Sequence, residues 1–354
     1  MSSVLFFDPV CQQPYDTRTL AERASGGTES SLTRVADALG AYVMQHNRTV
    51  NEGRYRAPGR LQGVRSVVLN RDSRALPVVR ELFPDARVYL WLHDQLRPGS
   101  KRARRLAATS ALLREMGVTA VCVSDSQRRG VEAVLAGLGL SGQVRALTIY
   151  NPVDDALAPD ATPVDADKLV FFSSPNKGLM FSLDAFGALR RAVPQLRLVV
   201  ANPGYKADRA SRRAGVEFLG ALPQGRVHAE VRGALCTFFP NFAIPETFGL
   251  VFAESHALGT PVLTVDCGAA LEVLGNPVEV LPLRPAYRAY ESVVGALPAG
   301  LRRGPARLAA SAGLFDQFVA RITQWRAGAR PHVGPDPRFR LATVAAHWRA
   351  LLEP

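Results

Sequence analysis

Two glutamates, Glu246 and Glu254, stand eight residues apart on either side of an apolar stretch that contains Gly249. If a helix begins near Phe248–Gly249, Glu246 lies in the loop before it and Glu254 on its second turn. At a rise of ~1.5 Å per residue, the two carboxylates can bracket an extended ligand. The free N–H groups of the first turn would face the middle of that ligand, where an anionic diphosphate gains most from them. A sugar, a diphosphate and a ribose in sequence have this shape, which is that of a nucleotide sugar.

Three shorter segments carry residue types that suit phosphate or sugar binding. Lys177 follows the apolar run Lys168–Phe172, so it would lie in the loop after a strand. His93 closes another apolar run, where a histidine could hydrogen-bond a sugar or stabilise charge. Near the N-terminus, Gly26 and Gly27 permit a tight loop whose amide groups can face phosphate. All three segments follow strand-like runs, and parallel sheets place their ligands beyond the carboxyl ends of strands.

The spacing of Glu246 and Glu254 resembles the Glu-x7-Glu motif of retaining glycosyltransferases with the GT-B fold, specifically family four. Four further segments are similar to motifs of that family, in the same order and at matching spacing. They are Ser25–Glu29 (a glycine-rich loop), Trp91–Asp94 (a strand-end histidine), Ile149–Asp154 (the start of the inter-domain linker) and Ser173–Gly178 (a phosphate-contacting turn). The resemblance implies a hexosyltransferase that uses a nucleoside diphosphate sugar, needs no metal and retains the anomeric configuration.

The resemblance also implies roles for single residues. Glu246 would be catalytic, because a carboxylate stabilises the positive charge that develops at the anomeric carbon. His93 would be the second catalytic residue, Glu254 would bind the ribose hydroxyls, and Lys177 would pair with the diphosphate. The remaining donor contacts are expected from Ser174, Phe248, Gly249 and Leu250. The acceptor or phosphate loop is expected to consist of Gly26, Gly27 and Glu29.

One position departs from the family pattern. An arginine often stands five residues before the donor-site lysine, and here that position is Phe172. Either the hydroxyl groups of Ser173 and Ser174, with nearby backbone, carry part of the phosphate charge, or Arg190 or another basic residue reaches in.

Short apolar runs alternate with amphipathic stretches along the chain, a pattern typical of βαβ units and parallel sheets. The predicted strands are Val4–Phe7, Val64–Leu69, Val88–Leu92, Val118–Val123, Val144–Ile149, Lys168–Phe172, Leu196–Ala201, Val216–Phe218, Cys236–Phe239, Val262–Thr264 and Val278–Leu281. The poorly patterned stretch His46–Gly59 is expected to be a loop or a short hairpin. The predicted fold class is α/β of the GT-B type, with two doubly wound Rossmann-like domains that face each other across a cleft.

Prolines at positions 152, 159 and 163 interrupt regular structure and mark a domain boundary. We expect an N-terminal acceptor domain at residues 1–150, a linker at 151–167 and a C-terminal donor-binding domain at 168–339. Helices are predicted around Ala306–Ala327 and at Arg340–Leu352. In the resembling fold the last helices return to the N-terminal domain, so residues 340–354 are expected to pack there through Trp348 and Leu351.

Composition narrows the class of protein. The 354 residues are 47% hydrophobic and 21% charged, which suits ordinary buried cores. No apolar run reaches the ~18–20 residues that span a bilayer. The short apolar run near the N-terminus lacks a preceding basic region, so a signal peptide is not expected. The four cysteines show no metal-ligand spacing and are expected to be buried thiols, which favours a cytoplasmic protein.

The net charge of +12 is concentrated in the first half of the chain, where residues 1–150 hold 21 Lys and Arg against 13 Asp and Glu. Such a surface suits anionic membrane lipid or a lipid-diphosphate acceptor, and equally nucleic acid or mere solvation. We expect a nucleotide sugar and a lipid-linked or saccharide acceptor as partners, peripheral contact with the cytosolic membrane face, and no nucleic acid. No cofactor is expected, and the histidines and aspartates show no metal-binding pattern.

Alternatives to a transferase of surface glycans or glycolipids remain open at this point. The same fold hosts nucleotide-sugar epimerases and phosphorylases, which differ in whether product forms without an acceptor or with free phosphate. A non-catalytic basic protein that binds membrane or nucleic acid is the alternative from a different class. A salt-sensitive association with nucleic acid that ignores Glu254 would favour it.

Overall fold

The computed structural model describes residues 2–22, 26–202, 213–241, 244–283 and 313–353. The chain divides into two compact units. The first consists of residues 1–20, 26–155 and 337–354, and the second of residues 21–25 and 156–336. Each unit has its own parallel sheet.

The sheet of the first unit has seven parallel strands in the order β3-β2-β1-β4-β5-β6-β7. Their bounds are β1 Val4–Asp8, β2 Tyr42–Gln45, β3 Tyr55–Arg56, β4 Ser66–Asn70, β5 Arg87–Leu92, β6 Thr119–Cys122 and β7 Ala146–Thr148. The central strands are buried on both faces, which is why their sequences read as continuous apolar runs rather than as alternating ones.

Helices cover both faces of this sheet. Their bounds are α1 Thr17–Glu22, α2 Gly27–Ala38, α3 Leu76–Leu82, α4 Lys101–Ala108, α5 Ser110–Glu115 and α6 Asp125–Gly137, with 3-10 turns at Ser73–Ala75 and Pro337–Phe339. The C-terminal helix Leu341–Leu352, labelled α12, also belongs to this unit. Its Trp348 ring packs edge-on against Phe6 and Trp91, and Tyr89 Oη donates a hydrogen bond to the carbonyl oxygen of Leu351.

The second unit has a six-stranded parallel sheet in the order β10-β9-β8-β11-β12-β13. Its strands are β8 Asp165–Phe172, β9 Arg197–Asn202, β10 Val216–Ala221, β11 Ala234–Phe238, β12 Val262–Val265 and β13 Val280–Leu281. Its helices are α7 Leu179–Ala192, α8 Gln224–Arg232, α9 Leu250–Ala257, α10 Ala270–Leu274 and α11 Leu314–Gln324, which is followed by the π turn Trp325–Ala329. Its core is filled in part by aromatic rings, with Phe171 stacked on Phe239 and Phe238 edge-on to Phe318.

The two parallel α/β sheets confirm the predicted fold class at the level of each unit. Each sheet reverses its strand order at one point, between β1 and β4 in the first unit and between β8 and β11 in the second. Doubly wound sheets bind ligands beyond the carboxyl ends of the strands at such a point. We therefore expect the functional residues to lie in the loops that follow these strands.

One region differs from the prediction. The strand Tyr42–Gln45, which pairs in parallel with β1, was not predicted. Within His46–Gly59, expected to be a loop or a short hairpin, Glu52 and Tyr55 form an antiparallel bridge across a tight turn, and Tyr55–Arg56 adds an edge strand parallel to β2. Both strands are short and are held by their neighbours rather than by a local pattern. Of the helix predicted around Ala306–Ala327, residues 306–312 lie outside the described residues.

Candidate functional site

The switch point of the second unit brings Lys177 and Glu246 together. Lys177 lies in the loop after β8, and Glu246 lies in the loop after β11. Lys177 Nζ is 2.8 Å from Glu246 Oε2, a charge-assisted hydrogen bond between residues 69 positions apart. The Glu246 side chain is 6% exposed, whereas that of Lys177 is 38% exposed. The pair thus consists of a buried carboxylate and a cation that reaches solvent.

The other carboxylate oxygen of Glu246 is orphaned. Among the described residues, Glu246 Oε1 is buried and accepts no hydrogen bond. Buried polar atoms are nearly always hydrogen-bonded, so such an oxygen calls for an explanation. A carboxylate oxygen accepts from hydroxyl groups, and a sugar offers several. The geometry therefore fits Glu246 to a polyhydroxylated ligand held beside Lys177.

The backbone of Glu246 is fixed by a third loop, which follows β12. Glu246 and Gly268 form a parallel bridge, and Ala269 N donates to the Glu246 carbonyl oxygen at 3.0 Å. Gly268 has φ +67°, and a Cβ at this position would overlap that same oxygen. Only glycine meets both conditions without strain. Sequence reasoning missed Gly268, although its place three residues after the apolar run Val262–Val265 was a usable signal.

Glu254 lies where the sequence predicted, on the second turn of α9. The helix begins at Leu250 because Gly249 adopts φ +88° and lets the chain turn, and a Cβ there would overlap the Phe252 ring. Glu254 is buried, and Gln224 Nε2 at the start of α8 donates to its Oε1 at 3.2 Å. Gln224 thus orients this carboxylate and was not predicted. The backbone of Phe248 to Leu250 forms the entry to the helix, and the Phe248 ring is buried.

Asn241 joins the two loops that carry Lys177 and Glu246. Gly178 adopts φ +90° as the N-cap of α7, and a Cβ there would be 2.9 Å from Asn241 Oδ1. Asn241 Nδ2 donates to the Ile244 carbonyl oxygen at 2.7 Å, which shapes the approach to Glu246. This residue also escaped prediction, because its role depends on packing between loops that are far apart in sequence.

Phe172 occupies the position at which the resembling family often has a donor-site arginine. Ser174 is buried, and its carbonyl oxygen accepts from Lys177 N at 2.9 Å, which tightens the turn. Arg190 lies in the last turn of α7, about 17 Å along the helix axis from its start. The suggestion that Arg190 replaces the arginine is therefore wrong, because Lys177 precedes the opposite end of that helix. Of the groups suggested in place of the arginine, Ser174 and the backbone of its loop are the ones that lie beside Phe172 in the chain.

The switch point of the first unit is organised around Arg71, which follows β4. Arg71 Nη2 is 3.1 Å from Glu29 Oε1 and 3.8 Å from Asp8 Oδ2. Asp8 is fully buried at the end of β1 and accepts from Tyr15 Oη at 2.8 Å. Burial and the Asp8 charge raise the pKa of Tyr15, so this hydroxyl stays a donor. Arg71 has φ +64°, and its backbone is therefore in a conformation that non-glycine residues rarely adopt.

The predicted glycine-rich loop lies against this arginine network. Gly26 is the N-cap of α2, Gly27 is its first residue, and Glu29 lies in its first turn. A Cβ at Gly26 would overlap the Glu29 carboxylate. The helix thus begins at Gly27, directly after the Gly26 cap. Gly26, Gly27 and Glu29 are brought together, and Arg71 is the residue that sequence reasoning missed here.

His93 is buried beyond the end of β5, with its ring 4.5 Å from the Trp91 ring by centroids. Burial, and to a lesser degree the Arg71 charge, hold the pKa of His93 well below its usual value of 6.5. The imidazole is therefore neutral at pH 7. A neutral ring can accept or donate a hydrogen bond but supplies no positive charge.

The described residues do not indicate a metal site, a reactive cysteine or a membrane-spanning helix. Within the described part of the chain, no three His, Cys, Asp or Glu side chains are grouped so that they could hold a metal ion. Burial raises the pKa of Cys122 to about 12, and all four cysteines are buried and unlinked. None of the described helices combines the length and apolar character that crossing a bilayer requires.

Comparison with known proteins places a family signature on the second unit. The family model of group 1 glycosyl transferases matches residues 164–281, which include Lys177, Glu246 and Glu254. The phosphatidyl-myo-inositol mannosyltransferase of Mycobacterium leprae is 30% identical over 107 residues, which cover 29% of this chain and 28% of the relative. That of Mycobacterium tuberculosis is 29% identical over 188 residues, which cover 49% and 47% respectively. Both matches span less than half of the relative's length.

Solved structures match the whole chain. HepE of Anabaena, solved with UDP and glucose, superimposes with a TM-score of 0.62 at 15% identity over 99% of each chain. This likeness shows the fold alone, and the fold is that of the GT-B glycosyltransferases.

Proposed function

We propose that this protein is a group 1 glycosyltransferase that moves a sugar from a nucleoside diphosphate sugar to an acceptor hydroxyl with retention of configuration. The observation that carries the proposal is the pairing of Lys177 with a buried Glu246 whose second oxygen has no hydrogen-bond partner among the described residues. This pair lies at the switch point of the unit that carries the family signature.

The donor would lie along three elements of the second unit. Lys177 meets the diphosphate as a point charge, and the first amide groups of α7 and α9 add the positive ends of two helices. Glu254, oriented by Gln224, accepts from the ribose hydroxyls. Ser174 and its loop hold the turn from which Lys177 projects. Lysine and helix ends supply the positive charge that a metal would otherwise provide, so we propose a metal-independent reaction without a cofactor.

The chemistry would centre on the anomeric carbon. As the bond from this carbon to the diphosphate oxygen breaks, the carbon gains positive charge, which the Glu246 carboxylate stabilises at close range. The bond to the acceptor oxygen forms on the same face of the sugar. The acceptor proton passes to the departing phosphate oxygen. The neutral His93 would hydrogen-bond the reacting sugar or the acceptor without placing a second positive charge nearby.

The acceptor would be bound by the first unit, through Gly26, Gly27 and Glu29. The mycobacterial relatives are named for a phosphatidyl-myo-inositol acceptor, which supports a lipid-linked glycan as the acceptor class. The basic first half of the chain supports assembly of such a glycan at the cytosolic membrane face. A saccharide acceptor suits the same residues.

A panel of nucleotides and nucleotide sugars tests the donor site by thermal stabilisation. We expect one nucleotide series to raise the unfolding midpoint of the wild type, because a ligand that binds only the folded state stabilises it. Glu254→Ala should lose this shift. Glu217→Ala, which removes an exposed glutamate of the same unit, should keep it. A shift that survives in Glu254→Ala, or no shift with any compound, would contradict the proposed donor site.

A further inference from the structure

The first unit contains a pocket of about 180 Å³ at the carboxyl edge of its sheet. Its lining comes from the loop after β4, from β5 and from α4. Leu92, Leu96 and Leu106 form an apolar floor, and the guanidinium groups of Arg102 and Arg105 stand at the rim. Nothing in the donor chemistry uses this pocket.

Of the three arginines that line the pocket, Arg105 has the most distant carboxylate partner. Arg71, Arg102 and Arg105 line the pocket together with two acids, Asp72 and Asp94. Arg102 pairs with Asp94 at 2.9 Å, whereas Arg105 stands 3.6 Å from an oxygen of Asp72.

Asp72 already has a closer partner than Arg105. Arg74 donates from Nε to both Asp72 oxygens and from Nη2 at 2.6 Å. These hydrogen bonds hold the pKa of Asp72 below its usual range. The Arg105 guanidinium is therefore the secondary partner of a carboxylate that is already satisfied, and it can engage another anion.

The basic residues of helix α4 are concentrated at its N-terminal end, where the helix dipole is positive. Its eight residues include Lys101, Arg102, Arg104 and Arg105, with no acidic residue. Three of these cations, Lys101, Arg102 and Arg104, lie in the first turn, where the positive end of the helix dipole makes cations unfavourable. An anion bound at the pocket would offset this repulsion. The basic residues of α4 and the arginines that line the pocket thus both favour an anionic ligand.

We propose that this pocket binds a phosphate ester, held by the fork of Arg105 with its non-polar part on the leucine floor. Guanidinium groups match phosphate oxygens with paired hydrogen bonds. Each carboxylate that lines the pocket already has an arginine partner, Arg102 for Asp94 and Arg74 for Asp72. Resting on the proposed function, the inference specifies the acceptor as a phosphorylated molecule. Asp94 and Arg71 connect the pocket to His93 and Glu29, so the acceptor hydroxyl would be close to the bound phosphate.

Calorimetric titration with sn-glycerol 3-phosphate tests the site, with Arg105→Gln as the test and Lys101→Gln as the charge-matched control on the same helix. We expect the wild type to bind, Arg105→Gln to bind about tenfold more weakly, and Lys101→Gln to stay within about twofold. Arg105→Gln should keep the wild-type unfolding midpoint, because Asp72 retains Arg74. Arg105→Lys, which keeps the charge but loses the fork, should give an intermediate affinity.

Vesicles of phosphatidylglycerol and phosphatidylcholine in equal parts distinguish the source of the phosphate. Vesicle binding that Arg105→Gln weakens more than Lys101→Gln identifies a lipid headgroup, and binding of sn-glycerol 3-phosphate alone identifies a soluble phosphate ester. Equal weakening by the two variants with both probes, or no binding of either probe to the wild type, would overturn the proposal. The nucleotide panel reads the donor site separately, so the proposed function can fail while the phosphate-ester pocket stands.

Discussion

In the first unit, the loop after β4 holds a guanidinium, Arg71, between the carboxylates of Asp8 and Glu29. In the second unit, the loop after β11 holds a carboxylate, Glu246, against the ammonium group of Lys177. The two sheets have equivalent strand orders and equivalent switch points. The same topology therefore supports a cation at the centre of one site and a carboxylate at the centre of the other. The loop residues rather than the strands decide which ligand each unit can take.

The supports of the two sites also differ. Glu246 is fixed through its backbone by the Gly268 loop, so one of its oxygens is left for a ligand. Arg71 is fixed through its side chain by two acids, and its backbone adopts a rarely populated conformation. A backbone-held carboxylate suits stabilisation of an electron-poor carbon. An arginine held by acids instead organises neighbours, which are the glycine-rich loop and a neutral histidine.

Replacing Lys177 should have the largest effect on donor binding. Lys177→Gln removes the cation that meets the diphosphate, so affinity for the nucleotide sugar should fall about 10- to 100-fold. Lys168→Gln is the control, because Lys168 pairs with Glu230 at 2.6 Å in the same unit and has no proposed contact with the donor. Titration calorimetry measures both. Equal losses in the two variants would mean that the Lys177 effect is structural.

Substitutions at Gly268 and Gly275 distinguish two effects: the strain of a side chain at positive φ and the loss of backbone support for Glu246. Both have positive φ, but a Cβ at Gly268 would overlap the Glu246 carbonyl oxygen, whereas one at Gly275 would meet nothing within 4 Å. Gly275→Ala should cost about 1–2 kcal/mol of unfolding free energy and keep transfer activity. Gly268→Ala should cost more and also lose activity, because Glu246 must shift. If both variants keep full activity, the third loop does not position Glu246.

His93 should make the stability of the first unit depend on pH. Its pKa in the folded protein lies well below 6.5, so below about pH 6.5 the unfolded chain binds a proton that the folded chain does not. The free energy of unfolding should therefore fall with decreasing pH, by at most about 1.4 kcal/mol per pH unit from this group. His93→Gln should flatten the curve relative to that of the wild type. Denaturant unfolding at several pH values gives both slopes. An unaltered slope in His93→Gln would contradict this origin.

The sequence was sufficient for the parts of the fold and the site that depend on local pattern. Buried parallel strands are continuous apolar runs, and Gly249 marks the start of α9, so the placement of Glu246 before the helix and Glu254 within it followed directly. Lys177 and His93 likewise stand at the ends of such runs.

The residues that were missed act through contacts distant in sequence. Gln224 reaches Glu254, Asn241 packs on Gly178, and Gly268 supports Glu246, each across tens of residues. No local pattern marks a side chain that orients another one. Arg71 was missed for a further reason. Its backbone has a positive φ, which the conformational preferences of arginine do not predict.

Replacing Glu246 tests the account most directly, because one substitution should divide catalysis from nucleotide binding. Glu246→Gln keeps the size of the side chain but removes the charge, so transfer from the nucleotide sugar should fall by about a thousandfold. Lys177 loses its ionic partner in this variant, so affinity for the nucleoside diphosphate without sugar should be equal to that of the wild type or higher. Initial rates and calorimetric titration with the nucleotide selected by the panel give the two values. Full transfer activity in Glu246→Gln, or loss of nucleoside diphosphate binding together with activity, would contradict the account.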